Sequence, residues 1–236
     1  ASQDIHKLMI GSLDNKEEVL IDVNLMAEGY DYFRVGSMEI SPDNKMMAYS
    51  VDTVSRRIYS IHFMDLESGE ISKKSLPNTS GSVTWANDNK TIFYNIRNLE
   101  TLRSEKVMRY ELGSTGEGDE VYFEEDETFS VYSYKTKTDK YIVIGSSATL
   151  SQEYRVLNAD NPRGEFKMFQ ERVDGLEYSI SHFEDKWYVV TNKDGATIFM
   201  LMSCSESRTG SDNGKDYIGH SDDVVLEDVE GFDAFL

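Results

Sequence analysis

The sequence predicts an all-β fold: an incomplete β-propeller of about four complete four-stranded blades with partial blades on either side. Three observations carry that prediction. A strand–turn–strand stretch at residues 82–95 (SVTWANDNKTIFYN) recurs at 37–50, 130–145 and 178–190. Its turn lysines, Lys45, Lys90, Lys140 and Lys186, lie 45, 50 and 46 residues apart, a period of roughly 40–50 residues shared by propeller blades and helical arrays. The repeated segments are rich in Val, Ile, Tyr, Phe and Thr, and none sustains a 3.6-residue apolar period, which excludes the helical array.

Each element then follows from its place in the repeat. Residues 1–17 read as irregular, with turn signals at Gly11-Ser12 and Asp14-Asn15. Residues 18–22 (EVLID) fall where the last strand of a preceding blade belongs, followed by a helical turn over 24–28 that Gly29 ends. First strands are expected at 38–41, 83–86, 131–134 and 179–183, and second strands at 46–51, 91–96, 141–146 and 187–191. Third strands follow at 57–65, 106–112, 153–157 and 197–203, and fourth strands at 70–75, 120–125, 165–170 and 215–219, after glycine-bearing turns. The domain boundaries are therefore an irregular segment at 1–17 and a partial propeller at 18–236. Its blades span about 37–76, 82–126, 130–171 and 178–220, with a stub at 222–236. Such an arc leaves two blade faces without neighbours, so self-association through them is expected.

Composition narrows the function. A hydrophobic fraction of 39% with 14 Tyr and 11 Phe supplies a packed core. A net charge of −19 argues against nucleic acid, whose phosphates it repels, and favours cationic ligands. The single cysteine, Cys204, excludes an internal disulfide framework and a cysteine-rich zinc site and fits a reducing compartment. No apolar run reaches membrane-spanning length, and residues 1–20 carry no signal-peptide pattern. A cytoplasmic location is expected. A periplasmic one stays open, because the phase of the repeat reads as a piece cut from a longer polypeptide.

No catalytic, cofactor-binding or metal-binding residue is assigned. Gly145-Ser146-Ser147-Ala148-Thr149 comes nearest to a nucleophile elbow, but Thr149 replaces the last glycine and Ser147 sits at a strand end. His6, His62, His182 and His220 are scattered without metal-ligand spacing. The acidic clusters at 117–127 and 222–230 read as solvated blade edges, and Asp212-Asn213-Gly214 lacks the rest of a calcium loop. There is no dinucleotide fingerprint or P-loop, and the triplets at Asn78 and Asn89 matter only in a secreted eukaryotic chain.

The stretches EVLIDVNLMAEGYDYFRVG (18–36), SPDNKMMAYSVDTVSRRIYSIHFMDLESGE (41–70), NTSGSVTWANDNKTIFY (78–94), NADNPRGEF (158–166) and EYSISHFEDKWYVVTN (177–192) closely resemble the propeller domain of the prolyl oligopeptidase family of serine peptidases. The resemblance runs from about residue 17 to 236. It implies a parent with a C-terminal α/β-hydrolase domain carrying a Ser, Asp and His triad. In the branch these stretches match, it also implies cleavage of short peptides after Arg or Lys. The propeller would sit over the active site and limit access to it. The family's triad, oxyanion hole and basic-residue pocket lie outside the matched region, so the chain alone is expected to be inactive. Its implied partners are the hydrolase domain of the same polypeptide and short basic peptides, which Glu124, Glu125 and Asp126 would help recruit. The residues alone leave a second reading open, a protein-interaction propeller with no attached enzyme.

Overall fold

The computed structural model describes residues 19–196, 198–221, 225–226 and 229. The expected segment 1–17, including His6, and most of the stub at 222–236 lie outside the described residues.

The chain between them folds as consecutive antiparallel meanders. The first blade takes β1 (Arg34–Ile40), β2 (Met46–Asp52) and β3 (Tyr59–Asp65), and then the first half of β4 (Leu76–Trp85). The second half of β4 opens the second blade, which continues through β5 (Thr91–Arg97), β6 (Ser104–Glu111) and β7 (Asp119–Phe123). β8 (Ser130–Lys135), β9 (Tyr141–Ser147), β10 (Gln152–Asn158) and β11 (Lys167–Gln170) make the third. β12 (Tyr178–Phe183), β13 (Lys186–Thr191), β14 (Met200–Ser205) and β15 (Lys215–Ile218) make the fourth.

Two expected strands differ. Residues 70–75 do not form a strand and contribute only an isolated bridge between Ile71 and Met64. The outer edge of the first blade is completed by β4, whose Leu76 and Thr79 pair with Ile61 and Tyr59 of β3. β4 then shifts register between Thr79 and Val83 and pairs with β5, joining the first two blades in one seven-stranded sheet. Gly81 permits the bend. Its φ of 94° is left-handed, and a Cβ there would lie 2.9 Å from the Tyr59 ring. Residues 19–22 are likewise not a strand. The Asp22 carboxylate instead accepts from the backbone N–H of Asn24 (3.0 Å) and Leu25 (3.2 Å), capping the short helix α1 (Val23–Met26).

The repeated turn has a common physical cause. Asn44, Asn89, Asp139 and Glu184, each between a first and a second strand, have φ of 59°, 62°, 55° and 52°. Asn and Asp tolerate this left-handed region best. Asp88 fixes its turn by accepting from Lys90 N, Thr91 N and Thr91 Oγ1 at 3.0, 2.8 and 2.7 Å.

Strand periodicity of two sends alternate residues to opposite blade faces, and the cores lie between blades. Ala48, Ile61, Phe63, Trp85, Ile92 and Tyr94 fill the space between the first and second. Phe93 points the other way, joining Val131, Ile142 and Ile144. Val143 alternates with these and packs with Tyr154, Ile180 and Trp187 toward the fourth. The outer face of the first blade carries Met47, Tyr49 and Val51, covered by Leu20, Ile21, Val23 and Met26. The corresponding face of the fourth carries Tyr188, Val190 and Leu201 against Leu226 and Val229.

Candidate functional site

A meander of four strands puts its first-to-second and third-to-fourth turns on one rim. The second-to-third loops and the connections between blades lie on the other. The first strands of successive blades line the space between the two rims, and the larger cavities of the inner wall open there.

At the turn rim, β1, the Ser82–Trp85 end of β4 and β8 enclose a cavity of about 860 Å³. Its walls are tied across blades. The Trp85 indole N–H donates to Glu39 O at 3.1 Å, and Asp43 N–H donates to Asn89 Oδ1 at 2.9 Å. Asn87 Nδ2 donates to Asp139 O (2.9 Å) and Asp160 Oδ1 (2.8 Å), and Tyr134 OH donates to Ile180 O at 3.2 Å. Lys135 pairs with Asp139 at 3.3 Å and donates to Asn87 Oδ1 at 3.1 Å. Burial pushes the Glu39 carboxyl above its usual range, against smaller opposing effects of Ser37 and Lys135. This wall is polar, with both signs of charge.

At the connection rim a second cavity of about 440 Å³ is lined by Tyr132, Gln152, Glu177, Ser179, Phe199 and Leu226, among others. Beside it, the second and third blades are joined by a buried ion network. Glu124 is 3% exposed and accepts from Arg172 Nη2 (2.6 Å), Tyr122 OH (2.8 Å), Asp126 N–H (3.0 Å) and Ser146 Oγ. Burial acts to raise its pKa, but those donors outweigh it and hold the carboxylate below the usual value. Arg172 also pairs with Glu153 at 3.5 Å and lies over the Phe129 ring, 3.7 Å from its centroid. Arg103 Nη1 donates to the carbonyls of Glu124 and Phe129 at 3.2 and 3.0 Å.

The structure places the sequence candidates as follows. Ser147 ends β9, half-buried, and its hydroxyl donates to Ala148 O at 3.4 Å. His62 is stacked on Tyr49 with centroids 5.4 Å apart, and burial lowers its pKa. His220 lies exposed after β15. Cys204 is buried in the core between the third and fourth blades, and that burial pushes its thiol up to about 11. In the acidic run at 117–127 every acid but Glu124 is exposed, as expected of a solvated blade edge, and several also pair with neighbouring cations. Glu124 is buried as described, Asp119 pairs with Arg109 at 3.1 Å, and Glu120 pairs with Lys106 at 2.7 Å. Asp126 accepts from the N–H of Thr128 at 2.9 Å and lies 3.6 Å from Arg172. Glu124 therefore cannot meet a peptide as a free carboxylate, contrary to the expectation for the 124–126 cluster. No cluster of three or more potential metal ligands is found among the described residues.

Sequence reasoning missed a hydroxyl–imidazole–carboxylate line between the third and fourth blades. Thr138 Oγ1 is 2.7 Å from His182 Nδ1, and His182 Nε2 is 2.8 Å from Glu206 Oε1, which Lys140 also contacts. The imidazole has no exposed side-chain surface and is packed against the rings of Tyr141 and Trp187 at 4.9 and 4.8 Å. No substrate can reach it there, so its work is to join blades. The pairing of His182 with Trp187 across β12 and β13 was readable from strand register, but Thr138 and Glu206 come from turns whose approach no pattern encodes.

Comparison with known proteins agrees with this architecture. Residues 2–236 match the family model described as prolyl oligopeptidase, N-terminal beta-propeller domain. The chain is 38% identical over 220 residues to dipeptidyl aminopeptidase BI of Pseudoxanthomonas mexicana, a match covering 93% of this chain and 30% of the relative. It is 34% identical over 194 residues to protease 2 of Moraxella lacunata, covering 81% and 28% respectively. Among solved structures, oligopeptidase B from Leishmania major superposes with a TM-score of 0.85 at 27% identity, over 92% of this chain and 31% of that one. Oligopeptidase B from Trypanosoma brucei, bound to antipain in a closed form, gives 0.83 at 27% identity, over 94% and 31%. The chain thus spans about 30% of the length of the relatives it matches.

Proposed function

The chain belongs to the family of prolyl oligopeptidase N-terminal β-propeller domains, and from that premise we propose that it limits access to the active site of a serine peptidase. The hydrolase domain that carries the chemistry would lie elsewhere in the same polypeptide, and this chain would contribute no catalytic group. Short peptides bearing Arg or Lys are the proposed substrates, supported by the likeness to oligopeptidase B and by the net charge of −19. The single buried cysteine fits a reducing compartment such as the cytoplasm.

The observation that carries this reading is the inner wall. Three consecutive first strands enclose the cavity of about 860 Å³, and side-chain-to-backbone bonds tie each blade to the next. A wall braced in this way excludes by size, because widening it breaks several bonds together. Co-expression with the downstream sequence tests the reading: a nucleophile elbow in a strand–helix context and turnover of an Arg-amide peptide support it. Their absence favours the interaction propeller without an enzyme.

The relative named dipeptidyl aminopeptidase BI, at 38% identity, supports a second reading in which the same wall serves an exopeptidase. Product analysis on one Arg-containing pentapeptide separates the two. Release of an N-terminal dipeptide regardless of Arg position marks the exopeptidase, and cleavage that follows the Arg marks the endopeptidase.

A further inference from the structure

We propose that the 440 Å³ cavity at the connection rim is a subsite for one cationic side chain, Arg or Lys, of a short peptide. The proposal rests on the peptidase reading above and deepens it.

Among the described residues lining this cavity, Glu177 is the one that carries a charge, and that charge is negative. The rim of the larger cavity differs, since Glu39 and Asp139 face Lys135 and Lys137. Glu177 is also held in place. Its N–H donates to Asn192 Oδ1 at 2.9 Å, and its carbonyl accepts from Thr191 Oγ1 and Asn192 N–H, both at 3.1 Å. Its carboxylate receives a 3.4 Å hydrogen bond from Asn192 Nδ2 at Oε1, and no ion pair to it occurs among the described residues. The second oxygen remains available to a ligand.

The rest of the lining suits the other parts of such a side chain. Tyr132 is 38% exposed although its neighbours Tyr154 and Tyr178 are 4% exposed. Its ring is fixed from two sides, by a 3.1 Å hydroxyl contact with Tyr154 and by Gly145 beneath it. A Cβ at Gly145 would lie 2.6 and 2.7 Å from Tyr132 Cε2 and Oη, so glycine is what lets the ring occupy this position. A fixed, partly exposed tyrosine offers a π surface to a guanidinium or ammonium. Val190, Phe199 and Leu226 supply apolar surface for the methylene stem, which long cationic side chains bury while the head stays polar.

The test is binding of acetyl-Ala-Arg-Ala-amide and its citrulline counterpart to the 236-residue chain, read by NMR shift perturbation. Citrulline keeps the shape and removes the charge. The Arg peptide is expected to bind about tenfold more tightly than the citrulline peptide. Glu177→Gln should remove that difference and Tyr132→Ala should weaken both peptides, while Glu67→Gln on a distant turn should change neither. Circular dichroism on each variant confirms that the fold is intact. Equal affinity for Arg and citrulline, no detectable binding of the Arg peptide, or undiminished selectivity in Glu177→Gln overturns the subsite. None of these outcomes involves turnover, so the subsite can fail while the access-limiting role stands.

Discussion

Arg172 reaches across from the third blade to Glu124 at the end of the second, with Nη2 2.6 Å from a carboxylate that is 3% exposed. Ser146, Tyr122 and Phe129 pack around the contact, so the two blades are joined through a carboxylate shielded from water. Removing one partner of a buried pair leaves the other charge without compensation, at a cost of about 3–5 kcal/mol. Arg172 is partly exposed and recovers some hydration, so the lower end applies. Glu124→Ala should lower stability by about 3 kcal/mol in urea denaturation. A change below about 1 kcal/mol would show that the network does not hold the blades together.

Stability should fall in two stages on acidification. Burial depresses the His182 and His62 pKa values, so the folded state keeps them neutral while the unfolded chain protonates them near the ordinary value of about 6.5. Their contribution is full above that pH and declines below it. Glu124 and Glu206, both below the usual carboxylate range, contribute fully above about pH 4.5 and lose stabilisation as pH falls through their folded values. Melting temperature followed from pH 8 to 4 checks both stages. His182→Gln should flatten the upper one, and an unchanged slope there would contradict the assignment.

Gly145→Ala should destabilise the third blade by about 1–3 kcal/mol, because the new methyl meets the Tyr132 ring, which cannot retreat without losing its contact with Tyr154. Pairing with Tyr132→Ala makes room and should recover most of the loss. A double-mutant cycle checks the coupling, and additive effects would separate the two residues.

The outer faces of the first and fourth blades carry Tyr49 and Val51, and Tyr188 and Val190. Residues 20–26 cover the first face and Leu226 the second, leaving these side chains at 1–7% exposure, so self-association is expected where a second copy displaces those covers. Light scattering across a concentration series should show mass rising with concentration. A constant monomer mass would mean that segments such as Leu20–Met26 and Leu226 suffice as covers.

How far the sequence carried depended on whether a feature was local. The turn lysines and the Asn or Asp before them predicted the hairpins, because left-handed φ at Asn44, Asn89 and Asp139 is a property of those residues. The β-prone runs at 91–96 and 141–146 predicted strands, and the structure buries them on both faces, as Ile92 and Phe93 demonstrate by packing in opposite directions. The outer strand at 70–75 is cut short: Glu70 O and Ser72 N–H bond to β3, but Ser72 Oγ then takes the Lys74 N–H, and β4 completes the edge instead. The segment at 18–22 reads as a strand by composition, yet Asp22 turns it into a helix cap. The Glu124 network and the Tyr132 cavity were invisible for another reason. Their members come from three or more separated segments, and only the closed packing of blades brings Ser146 to Glu124 or Glu177 near Tyr132.

The proposed limit on access by size is probed by varying the size of the substrate. A polypeptide that joins this chain to the proposed hydrolase domain should be assayed for kcat/KM on a short Arg-containing peptide and on the same cleavage sequence embedded in a folded protein loop. Efficient cleavage of the free peptide is expected, with at least about a hundredfold loss, roughly 2.7 kcal/mol, for the embedded one. Equal kcat/KM for both would contradict it.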